Sequence, residues 1–106
     1  MASNVNDVTI KYVEDDLVLV NELDKVILSK GAWATIIFKY QDWNKKEQAY
    51  GPTKYTIRRY QKRNNEYFQK SKFNISSNEQ AQKIVDALTT WLDGVEITEG
   101  TSQEEA

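Results

Sequence analysis

The spacing of apolar residues changes once along this 106-residue chain, and that change restricts the fold more than any motif does. Through Ile75 apolar side chains either alternate with polar ones or form runs of three or four; from Ala81 to Leu92 they recur at intervals of three and four. Alternation places neighbours on opposite faces of a strand, whereas the second spacing lines one side of a helix. A chain this long holds one core. Strands therefore come first and a single helix last, in an α+β domain.

Val8, Ile10 and Tyr12 alternate with polar neighbours and Leu17 to Val20 is a short apolar run, which predicts an N-terminal strand or hairpin. Val26 to Ser29 reads as a strand, Lys30-Gly31 as a turn, and Ala32 to Gln41 as a longer strand. Asp42 to Thr53 is polar and contains Gly51-Pro52, a loop signal. Lys54 to Gln61 resumes strict alternation, with Tyr55, Ile57 and Arg59 on one face and Lys54, Thr56, Arg58 and Tyr60 on the other. Asn64-Asn65 supplies the positive φ values of a tight hairpin, after which Glu66 to Ile75 returns as a strand. The expectation is a curved four-stranded antiparallel sheet with an extra N-terminal strand or hairpin.

Ser76 or Ser77, with Glu79 or Gln80 completing a capping box, opens an amphipathic helix, and Asp93-Gly94 stops it. Its stripe of Ala81, Ile84, Val85, Leu88, Trp91 and Leu92 is mostly core. One helix on one sheet leaves apolar surface over, so Leu88, Trp91 and Leu92 are assigned to a dimer seam. Residues 24–94 form the domain, 1–23 an acidic extension and 95–106 an acidic tail.

Charge is segregated along the chain. Lys25 to Lys72 carries twelve cations against three acids, a balance of +9, while residues 1–24 stand at −5 and residues 73–106 at −6. A basic centre between acidic ends points to a polyanionic partner that the whole-chain charge of −2 conceals. The absence of His and Cys excludes Ser-His-Asp triads, Cys-His pairs and Cys/His zinc cages. No Gly-rich phosphate loop is present, and Glu22, Asp24 and Lys25 read as a solvated turn before a strand rather than a metal site. An enzyme, a metal and a cofactor are therefore not expected. The polar start MASNVNDV and the lack of a long apolar run predict neither a secretory signal nor a membrane span, and a cytoplasmic or nucleoid-associated location.

Ten of the twelve aromatic residues lie between positions 25 and 75, in the basic stretch or directly beside it. Unpaired strands expose base faces that stack on aromatic rings, at about 1–3 kcal/mol per base, while Lys and Arg hold the phosphates. Trp33, Phe38, Tyr55 and Phe73 are read as core; Trp43, Tyr60 and Tyr67, beside Lys45, Lys46, Lys62 and Lys70, as exposed stacking groups. Lys54 and Arg58 share a strand face with Tyr60.

Several short runs, in this order and spacing, resemble the single-stranded-DNA-binding domain of the transcriptional positive cofactor 4 family. They are Val26-Ile27-Leu28-Ser29-Lys30, Asp42-Trp43 followed by Lys45 and Lys46, Ile57-Arg58-Arg59-Tyr60, Lys70 to Lys72, Phe73-Asn74-Ile75-Ser76 and Asn78-Glu79-Gln80. The resemblance spans about residues 24–92 and is to compact bacterial or phage members. It implies a homodimer whose curved sheets bind separated single strands in transcription, replication or recombination, alongside proteins of those processes. By position it implies DNA contacts from Lys30, Trp43, Lys45, Lys46, Arg58 and either Lys70 or Lys72, with Lys39 or Gln41 in place of a family arginine. Gln61 departs from the family's stacking tryptophan, which shifts that role to Tyr60 or Tyr67. The acidic N-terminal extension lies outside the resemblance. Alternatives are an RNA-binding module on the same face, or an adaptor that docks a basic protein through its acidic ends. Glu96 to Ala106 is further expected to occupy the basic channel when DNA is absent.

Overall fold

The structure, a computed structural model, describes residues 3–97. Most of the expected C-terminal tail, Thr98 to Ala106, lies outside the described residues, and with it the expected occupation of the basic channel by Glu96 to Ala106. The fold is α+β: a curled antiparallel sheet followed by one C-terminal helix. After a short 3-10 turn at Val5–Asp7 come β1 (Tyr12–Glu14), β2 (Leu17–Ser29), β3 (Trp33–Asn44), β4 (Ala49–Tyr50), β5 (Lys54–Arg63), β6 (Glu66–Ile75) and α1 (Asn78–Leu92). The strand order is β1-β2-β3-β5-β6, with β4 paired to the end of β3.

Local chemistry sets the two tight hairpins. Asn64 and Asn65 take φ of 51° and 68°, and Asp15 and Asp16 take 52° and 66°, the left-handed values that a two-residue connection needs and that Asn and Asp tolerate. Ser77 caps the helix, its Oγ accepting from the Gln80 N–H at 3.0 Å, while Gln80 Oε1 accepts from the Ser76 N–H at 2.7 Å. Gly94, at φ 82°, follows the helix end.

The strands depart from expectation near the N-terminus. β2 runs unbroken through Glu22–Lys25, so these residues are mid-strand rather than a turn, and the division expected at 23/24 falls inside β2. Val8 and Ile10 lie outside any strand; alternation there marks residues that reach a distant core. β3 continues to Asn44 and forms a short hairpin with β4, where a loop was expected from Asp42. Trp43 opposite Tyr50 holds that hairpin, with the rings edge-on at 5.1 Å.

Register divides the sheet into two faces. Ile27, Ile36, Arg58 and Lys72 are successive cross-strand partners on the inner face, followed by Lys25, Phe38, Thr56 and Asn74. Val26, Ile37, Ile57 and Phe73 form the corresponding outer row. The core sits on the inner face, where Val8 buries against Ile36, Phe38 and Tyr60, with Val5, Ile10, Ile27 and Tyr67 around them. Of the aromatics read as core, Phe38 is fully buried. Trp33 and Tyr55 are half-buried on the outer face and Phe73 is 51 % exposed, so that side is less covered than the inner one, although Ile75 opposite Tyr55 is buried.

Candidate nucleic-acid interface

On the inner face β5 contributes Lys54, Thr56, Arg58, Tyr60 and Lys62, and β6 contributes Tyr67, Gln69, Lys72 and Asn74. None of these residues is acidic. Their hydrogen bonds orient the set. The Thr56 hydroxyl donates to Asn74 Oδ1 at 2.7 Å and accepts from Arg58 Nε at 3.3 Å; Arg58 Nη1 donates to Gln69 Oε1 at 2.9 Å. Each amide thus uses its oxygen within the chain and keeps its NH2 group for a partner. The guanidinium, two amides and the Lys72 ammonium face outward as donors, which is the chemistry of a phosphate track.

A one-residue bulge builds this strip. Arg59 pairs with Ser71 but Tyr60 pairs with Gln69, so Lys70 is the extra residue. Without the bulge, Ser71 and Phe73 would share the face of Arg58; with it, Lys72 and Asn74 do. Gln69 and Asn74 were not among the expected contacts, and only the position of the bulge puts both on the face of Arg58; Thr56, placed there by alternation, is fully buried and orients Arg58 and Asn74.

The strip continues along β5 to the β3–β4 hairpin, about 13 Å from Arg58 to Lys54 at strand rise. There Asp42, Trp43, Asn44, Lys45, Lys46, Gly51, Pro52 and Lys54 line a cavity of about 430 Å³. Trp43, Lys45, Lys46 and Lys54 therefore gather at one hairpin, where Trp43 has the strand parity of Lys39 and Gln41 and Lys54 that of Arg58. The Lys54 ammonium lies 2.9 Å from Asp42, whose hydrogen bond and charge raise the lysine above its ordinary pKa.

Other expected contacts fall elsewhere. Tyr60 is only 6 % exposed and belongs to the core, so its ring is not a stacking platform in this conformation. Burial raises its pKa most, the Arg58 charge lowers it and Glu22 raises it. Tyr67 packs beside that core and donates its hydroxyl to the Gly31 carbonyl at 2.9 Å, with the Lys62 ammonium 5.5 Å from its ring centre. That ring ties the β5–β6 hairpin to the β2–β3 turn, where Lys30 is exposed. Lys39 lies opposite Asp24 and Tyr55 on the outer face, and Gln41 has the same parity, so neither joins Arg58. Arg59 also faces outward, its guanidinium 4.3 Å from the Trp33 ring centre.

The three dimer-seam residues are exposed. Leu88, Trp91 and Leu92 all stand open to solvent, Trp91 at 72 %. No helix among the described residues is long and apolar enough to cross a membrane. No family model, curated protein or solved structure matches the chain.

Proposed function

We propose that the chain is a non-enzymatic, sequence-tolerant single-stranded-DNA-binding protein that acts as a homodimer. The observation that carries the reading is the donor-only strip of Arg58, Gln69, Lys72 and Asn74, continuous along β5 with the Trp43 hairpin and its lysines. A polyanion with exposed base faces fits both halves. Phosphates take the strip, and Trp43 is the ring for stacking. A duplex hides its base faces, so the hairpin ring favours an unpaired strand. The resemblance to the positive cofactor 4 family agrees with this reading and suggests unwound DNA in transcription, replication or recombination as the setting.

The dimer is supported by what the sheet leaves bare. The described Cα trace is 17 Å across its shortest dimension, and in the outer row Val26 and Phe73 are exposed while Ile37 and Ile57 are only half-buried. The apolar side of α1 is also uncovered at Val85, Leu88, Trp91 and Leu92. Two such surfaces on one chain suit a second copy.

Titration of matched single-stranded DNA, duplex and RNA oligomers over a salt series tests the function. Affinity for the DNA strand should fall with a log–log slope of about −0.7 per neutralised phosphate. Preference for duplex, or binding that ignores salt, overturns the reading; equal or stronger affinity for RNA moves it to an RNA-binding module on the same face.

A further inference from the structure

The segment Val5–Ile10 is held over the inner face by two side chains of β2. Lys25 Nζ donates to the Asn6 carbonyl at 2.7 Å and to the Val8 carbonyl. Glu22 Oε1 accepts from the Thr9 hydroxyl and from the Ile10 N–H, the latter at 3.3 Å. Both anchors stand on β2, on the inner face opposite Phe38 and Tyr40. Between them Val8 is 5 % exposed, in one cluster with Ile36, Phe38 and Tyr60. The cover is thin. The anchored stretch has no strand pairing, and its 3-10 turn is three residues long.

Beneath this segment lies an aromatic group in the middle of the proposed track. On the inner face of β5, Tyr60 follows Arg58 and precedes Lys62, and its cross-strand partner is Gln69 of the donor strip. A ring between two cations is suited to stacking an unpaired base whose phosphates those cations hold. We propose that Val5–Ile10 is a strap that covers a latent base-stacking site at Tyr60, and that an unpaired strand binds fully only when the strap lifts. This rests on the single-strand-binding reading above. The strap and the strand then compete for one face, and the apparent affinity falls by the fraction of molecules with the strap open.

The test exploits a reversal of sign. Lys25→Met keeps an apolar stem of similar reach but removes both hydrogen bonds to the strap. With both bonds lost the strap opens more often, so the variant should bind an oligo-dT strand about tenfold more tightly despite losing a positive charge. A lysine that contacted phosphate would give weaker binding. Hydrogen exchange on the full-length wild-type chain supplies the second readout: the Ile10 amide should lose protection in the saturated oligo-dT complex while the β5 amides gain it. Unchanged or weaker binding by Lys25→Met, with the Ile10 amide still protected in the complex, overturns the strap. Binding by Lys25→Met alone supports a strap that is closed in the wild type. Failure of both proteins to bind, with folding verified by denaturant unfolding, overturns the single-strand reading and the strap with it; wild-type binding with a protected Ile10 overturns the strap alone.

Discussion

Ile36 and Ile37 are neighbours in one strand, yet the first is completely buried and the second only half-buried on the less covered outer face. The inner face that receives Ile36 combines an apolar half on β2 and β3 with a polar half on β5 and β6. Val5, Val8 and Ile10 close the apolar half, and the donor strip occupies the other. On the outer face the row from Val26 to Phe73 remains apolar across all four strands. Strand alternation gives two faces, but each needs its own cover. One is supplied by the chain's N-terminal segment, and the other is assigned here to a second copy.

Substitutions on the two faces separate these roles, and the largest effect is expected inside. Ile36→Ala should lower unfolding free energy by about 2–5 kcal/mol through lost burial and a residual cavity. Ile37→Ala should cost less in dilute protein, and its cost should grow with protein concentration if a second copy covers that face. Denaturant unfolding at two concentrations checks both. A concentration-independent Ile37→Ala equal to Ile36→Ala would remove the distinction between the faces.

Trp91→Ala should come next. Loss of a buried aromatic anchor removes about 2 kcal/mol or more from an interface, enough to shift the sedimentation equilibrium strongly toward monomer. Helical circular dichroism should change little, since Trp91 is exposed within one chain. A monomeric wild type would break the proposed outer cover outright.

On the polar half of the inner face, Arg58→Ala should weaken single-stranded DNA by about 1.5–3 kcal/mol, the scale of a charged hydrogen bond. Trp43→Ala should weaken it by about 1–3 kcal/mol if a base stacks there. Arg58→Ala should unfold at nearly the wild-type denaturant concentration, and Trp43→Ala, which loses its edge contact with Tyr50, slightly earlier but as a folded domain. If both retain full affinity, the strip and hairpin are not the binding surface.

The smallest effect concerns pH. Tyr60 and Lys54 have folded pKa values raised above their ordinary 10.0 and 10.5, Tyr60 chiefly by burial and Lys54 chiefly by its hydrogen bond to Asp42. The folded chain therefore binds more protons than the unfolded chain above about pH 10, and stability falls as pH rises through that range. Below it, the Lys54 contribution is fully present and Tyr60 is neutral in both states. Urea midpoints from pH 9 to 11 should decline, and Tyr60→Phe should flatten part of the decline. An unchanged slope would mean that Tyr60 is solvated.

Much of the scaffold was legible beforehand. The Asn64-Asn65 hairpin, the alternation of β5, the Ser77 cap and the helix stop at Gly94 depend on residues close in sequence, and the structure places each as expected. Of the expected contacts, Trp43, Lys45, Lys46 and Lys54 gather at one hairpin, and Arg58 stands opposite Lys72. Lys39 and Tyr60 part from that set. Lys39 turns outward by register, and Tyr60 is buried in a cluster completed by Val8, more than fifty positions earlier.

By itself, the sequence determined that strands precede one amphipathic helix, where the tight turns fall, and that positive charge gathers with aromatic rings in the middle of the chain. Those properties are local: periodicity, turn preference and capping act over a few residues. Tertiary structure alone decided which rings and cations share a face. The bulge at Lys70 changes the parity of the rest of β6, and the return of Val5–Ile10 over the sheet exchanges solvent for a packed cover. Neither follows from alternation, because parity along a strand says that two faces exist and says nothing of what lies on them.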